Sequence, residues 1–217
     1  FVEGLHNPGK GLSLEQGQMF VEHRAFPENV GISPYVSVPV LNPELFIADW
    51  QEFYRQVHSM KMTPSFDRLP PPVPGFNWGV WVPEGMTPQR AFEMGEAMYT
   101  SWKWCGDRSL DEVMDFTKEV CSYKRQRIVW CEDSVEPPLR LANLSAIHIV
   151  KRGINTLTLI EVELLHQWFF WKSGGKHLDT LNATRCDGSR CYDGTVPCVK
   201  SIESSIGSEL HVYWCGS

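Results

Sequence analysis

Apolar positions along the chain change period several times, and each change predicts an element. Short strand-like pieces such as Tyr35–Leu41 give way to a helical stretch from Pro43 to Tyr54, with Asn42 as N-cap and Pro43 at the first helical position. Leu69–Gly75 (LPPPVPG) cannot be helical and predicts an extended connector. Phe76–Val82 alternates as a strand ended by Pro83. Thr87-Pro88 then caps a helix predicted to reach about Trp102, with Ala91, Phe92, Met94, Ala97, Met98 and Trp102 at helical spacing. Ser109 and Glu112 are spaced as a capping box for a shorter helix through Val120. Arg127–Cys131 is a strand, and Leu141–Gly153 is loop with one short element. Thr156 or Thr158 opens the strongest helix, whose broad apolar face carries Leu157, Ile160, Leu164, Leu165, Trp168 and Trp171. Glu161 and Glu163 near its start suit the helix dipole, and Ser173-Gly174-Gly175 supplies its stop.

The last forty residues follow a different pattern. Turn signals are dense at Asp187-Gly188, Asp193-Gly194 and Gly207-Ser208. The final run alternates: Leu210, Val212 and Trp214 point to one face, and His211, Tyr213 and Cys215 to the other. One face packs while the other is free to meet a partner.

Composition narrows the classes. The 217 residues suffice for one domain with an extension, and 42% apolar with 21% charged content fits a packed globular chain. Glu161, Glu163 and His166 interrupt the longest apolar run, so no span of about 20 apolar residues exists. A net charge of −6 gives no basic footprint for nucleic acid. No charged segment followed by an apolar one opens the chain, so no signal peptide is expected. Seven cysteines are an odd number, with Cys186, Cys191, Cys198 and Cys215 crowded at the end; free thiols are the simplest expectation.

The helix ending WKSGGKHLD (Trp171–Asp179) is followed in order by three motifs. These are T-x-C-x-G-S-R (Thr184, Cys186, Gly188, Ser189, Arg190), D-G-x-V-P-x-V (Asp193, Gly194, Val196, Pro197, Val199) and L-x-V-x-W (Leu210, Val212, Trp214). The series resembles the variable proteins of diversity-generating retroelements, found in phages, archaeal viruses and uncultured prokaryotes. It is strongest over residues 156–217, and the strand–helix–strand order of 76–135 is also similar.

That resemblance implies an α+β, C-type-lectin-like fold with two main helices and small antiparallel sheets. It divides the chain into a Pro-rich extension with one helix (1–75) and a lectin-like domain (76–217). It also implies a non-catalytic display protein without cofactor or metal, in the cytoplasm or on a virion of a prokaryotic host, directed at an unknown target, most simply a protein surface. An element-encoded reverse transcriptase corrupts template adenines, so residues within about 180–217 vary while the framework stays. The framework then comprises His177, Asp179, Thr184, Cys186, Gly188, Ser189, Arg190, Asp193, Gly194, Val196, Pro197, Val199, Leu210, Val212 and Trp214. The variable face comprises Thr180, Leu181, Cys191, Tyr192, Thr195, Cys198, His211, Tyr213 and Cys215. AAC or AAT codons mutated at adenines cannot reach Lys, Glu, Gln, Met or Trp. All nine positions obey that limit, and Lys200 does not. The pattern departs from the family in two places. The chain ends at Ser217 without the usual Arg-containing continuation, and Lys200 stands where relatives often carry an aromatic, before a loop (Ser201–Glu209) lacking a basic residue.

Two other classes compete. The tail cysteines with His177 or His211 offer zinc ligands, but their C-x4-C and C-x6-C spacings give one borderline knuckle and no second. A Cys–His enzyme would rest on fold analogy alone. A calcium-dependent sugar site would need a carboxylate cage where the tail has Val196-Pro197-Cys198. The sequons at Asn143-Leu144-Ser145 and Asn182-Ala183-Thr184 matter only in a eukaryotic secretory route.

Overall fold

The structure, a computed structural model, describes residues 43–64, 70, 75–121, 124–142, 144–204 and 207–216. The Asn42 cap, the Tyr35–Leu41 strand and nearly all of the Leu69–Gly75 connector lie outside them. The first helix, α1 (Pro43–His58), carries Trp50, Phe53 and Tyr54 at helical spacing, and all three are fully buried. Strand β1 (Trp78–Val82) follows, then α2 (Pro88–Glu96), β2 (Thr100–Lys103), the single turn α3 (Leu110–Val113) and β3 (Arg127–Cys131). A 3-10 turn (Leu139–Leu141), α4 (Ala146–Lys151), α5 (Leu159–Ser173), β4 (Thr184–Arg185), β5 (Val196–Ser204) and β6 (Gly207–Cys215) complete the α+β architecture.

Helix α5 organises everything else. Thr158 caps it: its hydroxyl accepts from Glu161 N while the Glu161 carboxylate accepts from Thr158 N at 2.7 Å. Glu161 also takes an ion pair from Arg127 of β3 at 2.8 Å. Gly174, at φ +73, adopts the left-handed turn that ends the helix. Every residue from Leu159 to Phe169 is buried, so the helix is covered all round rather than on one face. The expected stripe is real, and a second core lies behind it. Ile160, Leu164, Leu165 and Trp168 join α1 and β1 in one cluster, where Trp50 stacks on Trp168 at 5.9 Å. Leu159 and Val162 join Phe92 of α2 and Val199, Leu210 and Val212 of β5 and β6 in the other.

Three expectations are corrected. Helix α1 is part of the main core, so a boundary at residue 75 does not separate an extension from the domain. Strand β1 shows no exposed face, because aromatics of α1 and α5 pack around it: Trp50 Nε1 and Tyr54 Oη donate to the Gly79 and Trp81 carbonyls, and Trp78 contacts Trp168 and Phe169. Helix α2 stops at Glu96, not near Trp102. Gly95 weakens its last turn, with Tyr99 packed against the missing Cβ, and residues 100–103 instead gain ladder bonds to β6.

Similarly, α3 ends at Val113 rather than Val120, because Met114 turns extended and bridges Cys191 while Asp115 N donates to Arg190 O. The Ser109 hydroxyl does cap this turn, accepting from Asp111 N. Residues 201–204 and 207–209, read as loop, continue β5 and β6 in unbroken pairing as far as Ser204↔Gly207.

Two sheets result. Strands β1 and β3 pair antiparallel, and the second sheet has the order β2-β6-β5-β4, with β2 parallel to β6 and the other pairs antiparallel.

Candidate functional site

Register assigns every residue of the four-stranded sheet to a face. The inner face carries Val199, Ser201, Leu210 and Val212, all buried, with Trp214 packed beside them. Opposite it, Trp102, His211 and Lys200 form one cross-strand row, and Tyr213, Cys198 and Arg185 form the next. Glu209 and Ile202 flank the first row, and Cys215 lies beyond the second. The Trp102 and His211 rings are 5.2 Å apart, and His211 Nε2 lies 3.1 Å from Glu209 Oε2. Trp102 is 46% exposed and Ile202 is also open to solvent. The outer face therefore carries the rings of Trp102, His211 and Tyr213 together with two cations, Lys200 and Arg185, and the Glu209 carboxylate.

The framework motifs hold this face from below. Gly188 approaches Thr156 and Leu157 so closely that an added Cβ would lie 2.9 Å from their carbonyl oxygens, and its N–H donates to Leu157 O. Ser189 Oγ accepts from Leu159 N at the start of α5 and donates to Glu119 at 2.6 Å. Arg190 donates to the Asp187 and Ser189 carbonyls, and Cys186 is buried. Asp179 sits at φ +53, its N–H donating to Val135 O, its carbonyl accepting from Ser201 N, and its carboxylate meeting His166 Nε2 at 2.8 Å. Half-buried His177 packs between Tyr99 and Phe170, and Thr184 of β4 pairs with Val199. Asp193 is exposed but structural, accepting from Thr195 N and Oγ1 at 2.9 and 2.6 Å ahead of Gly194, Val196 and Pro197.

The nine residues assigned to the variable face divide. His211, Tyr213 and Cys215 lie on the outer face as the alternation requires. Thr180 and Leu181 are exposed on a loop whose amides and hydroxyl are gathered by the Glu136 carboxylate, and Lys200 Nζ ties that loop to the sheet by donating to Leu181 O at 3.1 Å. Tyr192, 66% exposed, and half-buried Thr195 occupy the loop feeding β5, at the Cys215 end of the hairpin. Cys191 and Cys198 are corrections: both are buried, so neither thiol is offered to a ligand. Cys198 is bonded to Cys215 across β5 and β6, so the expectation of free thiols fails for this pair.

Sequence reasoning missed Trp102, which it placed on a helix, and excluded Lys200, which shares the row of His211. The local signal was Gly95, which weakens the end of the preceding helix, but the strand that Trp102 joins pairs with one over a hundred residues away.

Free thiols remain at Cys105, Cys121, Cys131, Cys186 and Cys191. Burial raises those of Cys121, Cys131 and Cys186, and pushes Cys191 up to about 11, away from the thiolate a nucleophile needs. Among the described residues no three His, Cys, Asp or Glu side chains converge as metal ligands, and no helix is long and apolar enough to cross a membrane. No family model, curated protein or solved structure matches the chain.

Proposed function

We propose that the chain is a ligand-binding display protein of C-type-lectin-like fold, whose outer sheet face and flanking loops are diversified by adenine-directed mutagenic reverse transcription. The observation that carries the reading is the division of the β5–β6 hairpin. Its inner row, Val199, Leu210 and Val212, is packed beneath α5, while the opposite row, Lys200, His211 and Tyr213, is left toward solvent beside Trp102. Substitution on such a surface typically costs within about 0.5 kcal/mol, so many side-chain combinations can be presented on one scaffold. Trp102, Tyr192 and Tyr213 supply rigid aromatic area of the kind that dominates protein–protein contacts, and a protein surface is the partner this favours. Raised thiol pKa values and the Cys198–Cys215 bond argue against the cysteine-enzyme and zinc alternatives.

A display library tests the reading and requires no identified ligand. NNC codons are placed at Thr180, Leu181, Tyr192, Thr195, His211 and Tyr213, and the cells are sorted for protease resistance. Most members remain folded, whereas the same randomisation at Val199, Leu210, Val212 and Trp214 leaves few. Equal loss in both libraries would show that the outer face is structural.

A further inference from the structure

The loop that carries Thr180 and Leu181 is held mainly by its backbone. It begins at Asp179, whose φ of +53 is a left-handed value that Asp tolerates better than most residues. Asp179 N donates to Val135 O at 2.9 Å, and Asp179 O accepts from Ser201 N at 3.1 Å, so the start of the loop is tied to both the segment before Glu136 and β5. Glu136 Oε1 then accepts from Leu181 N and Oε2 from Asn182 N, each at 2.9 Å; one carboxylate serves two successive amides. Lys200 Nζ donates to Leu181 O at 3.1 Å. These bonds to charged groups are of the stronger kind.

Glu136 is itself fixed. Ser134 Oγ donates to Glu136 O at 2.6 Å, and Pro137 and Pro138 follow, which restricts the backbone at Glu136. The loop's own side chains add only longer contacts to the same carboxylate, from Thr180 Oγ1 at 3.2 Å and Asn182 Nδ2 at 3.3 Å. The Leu181 side chain is 75% exposed.

We propose that Glu136 and Lys200 are positioning residues for the display face, holding the backbone of the loop so that its conformation is independent of the side chains at positions 180 and 181. The inference rests on the reading of Thr180 and Leu181 as varied ligand contacts. On that reading neither positioning residue varies: Glu136 precedes the varied region, and Lys200 is a residue type that adenine changes in AAC or AAT codons do not produce. A loop set in advance lowers the ordering cost of binding whichever side chains it presents. Proline at position 181 is the exception, because it has no amide to donate to Glu136.

Amide hydrogen exchange of the 15N-labelled full chain, read by NMR at positions 181 and 182, tests the proposal. In the parent both amides exchange at least about tenfold more slowly than in an unstructured chain. A Thr180→Ala/Leu181→Ala chain shows the same protection. Glu136→Ala abolishes it at both amides, and Leu181→Pro abolishes it at Asn182. Glu136→Gln, with a single acceptor oxygen, protects no more than one of the two and decides the matter if the alanine variant does not fold. The Cys186 amide, bonded to Pro197 O, exchanges as in the parent throughout, which separates release of the loop from unfolding. Protection that survives Glu136→Ala or persists at both amides in Glu136→Gln, or that disappears in the Thr180→Ala/Leu181→Ala chain, would overturn the proposal. Because the variants are defined in advance, an invariant gene tail would refute diversification and leave this result standing.

Discussion

Glu163 occupies the middle of α5, wholly buried, with neither carboxylate oxygen hydrogen-bonded. Burial, assisted by the charge of Asp111, pushes its pKa well above the ordinary 4.5. The folded state therefore holds a proton that the unfolded chain releases, and this contribution to stability is full below about 4.5 and is lost as pH rises toward the folded value. Glu163→Met, which keeps length and removes the ionisable group, is expected to stabilise the protein at pH 7 by about 1–3 kcal/mol. The gain should shrink toward pH 4.5; denaturant unfolding at both pH values measures it, and a pH-independent difference would count against a buried ionisable Glu163. His177 works in the opposite direction. Burial chiefly, and the charge of His166 secondarily, lower its pKa to about 4, so stability present above 6.5 is lost as pH falls toward 4. His177→Phe retains the ring between Tyr99 and Phe170 and should flatten the acid limb of a Tm-against-pH curve. An unchanged limb would place that acid sensitivity elsewhere.

Among the elements, the β5–β6 hairpin bears the most. It is closed at its open end by the Cys198–Cys215 bond, which spans 17 residues of chain. A loop of that size suggests roughly 3 kcal/mol from restriction of the unfolded state. Cys198→Ser with Cys215→Ser should cost about 2–4 kcal/mol in denaturant unfolding, and an added reductant should change the parent and leave the double variant unaffected. Equal sensitivity of both would mean that the bond contributes nothing. This pairing was not legible in the sequence, since cysteine spacing does not give connectivity and only the register Cys198↔Tyr213 brings the two strands' thiols together. The α5 boundaries were legible, because Thr158, Glu161 and Gly174 are local signals acting within a single turn. Helices α2 and α3 ran too long in the reading for the converse reason: their helical periodicity continues into residues that pair with β6 and with Cys191, partners far along the chain.

At the largest scale, the described residues are organised around α5, with an aromatic core on one side and the sheet that presents the candidate face on the other. The inner and outer rows of β6 could be read from alternation alone, so His211 and Tyr213 were recoverable from sequence. Trp102 was not, because its place beside His211 exists only once β2 has joined the sheet in parallel. Cys191 was misplaced for a related reason: its bridge to Met114 buries it, and nothing within the tail specifies that contact. The central claim, a fixed scaffold under a diversified surface, is tested most directly by deep sequencing of the gene's 3′ end across its source population, together with any adjacent template copy. The account predicts substitutions at template adenines in the codons of Thr180, Leu181, Tyr192, Thr195, His211 and Tyr213, with Val199, Leu210, Val212 and Trp214 constant. An invariant tail, or substitutions spread without regard to the two faces of the sheet, would contradict it.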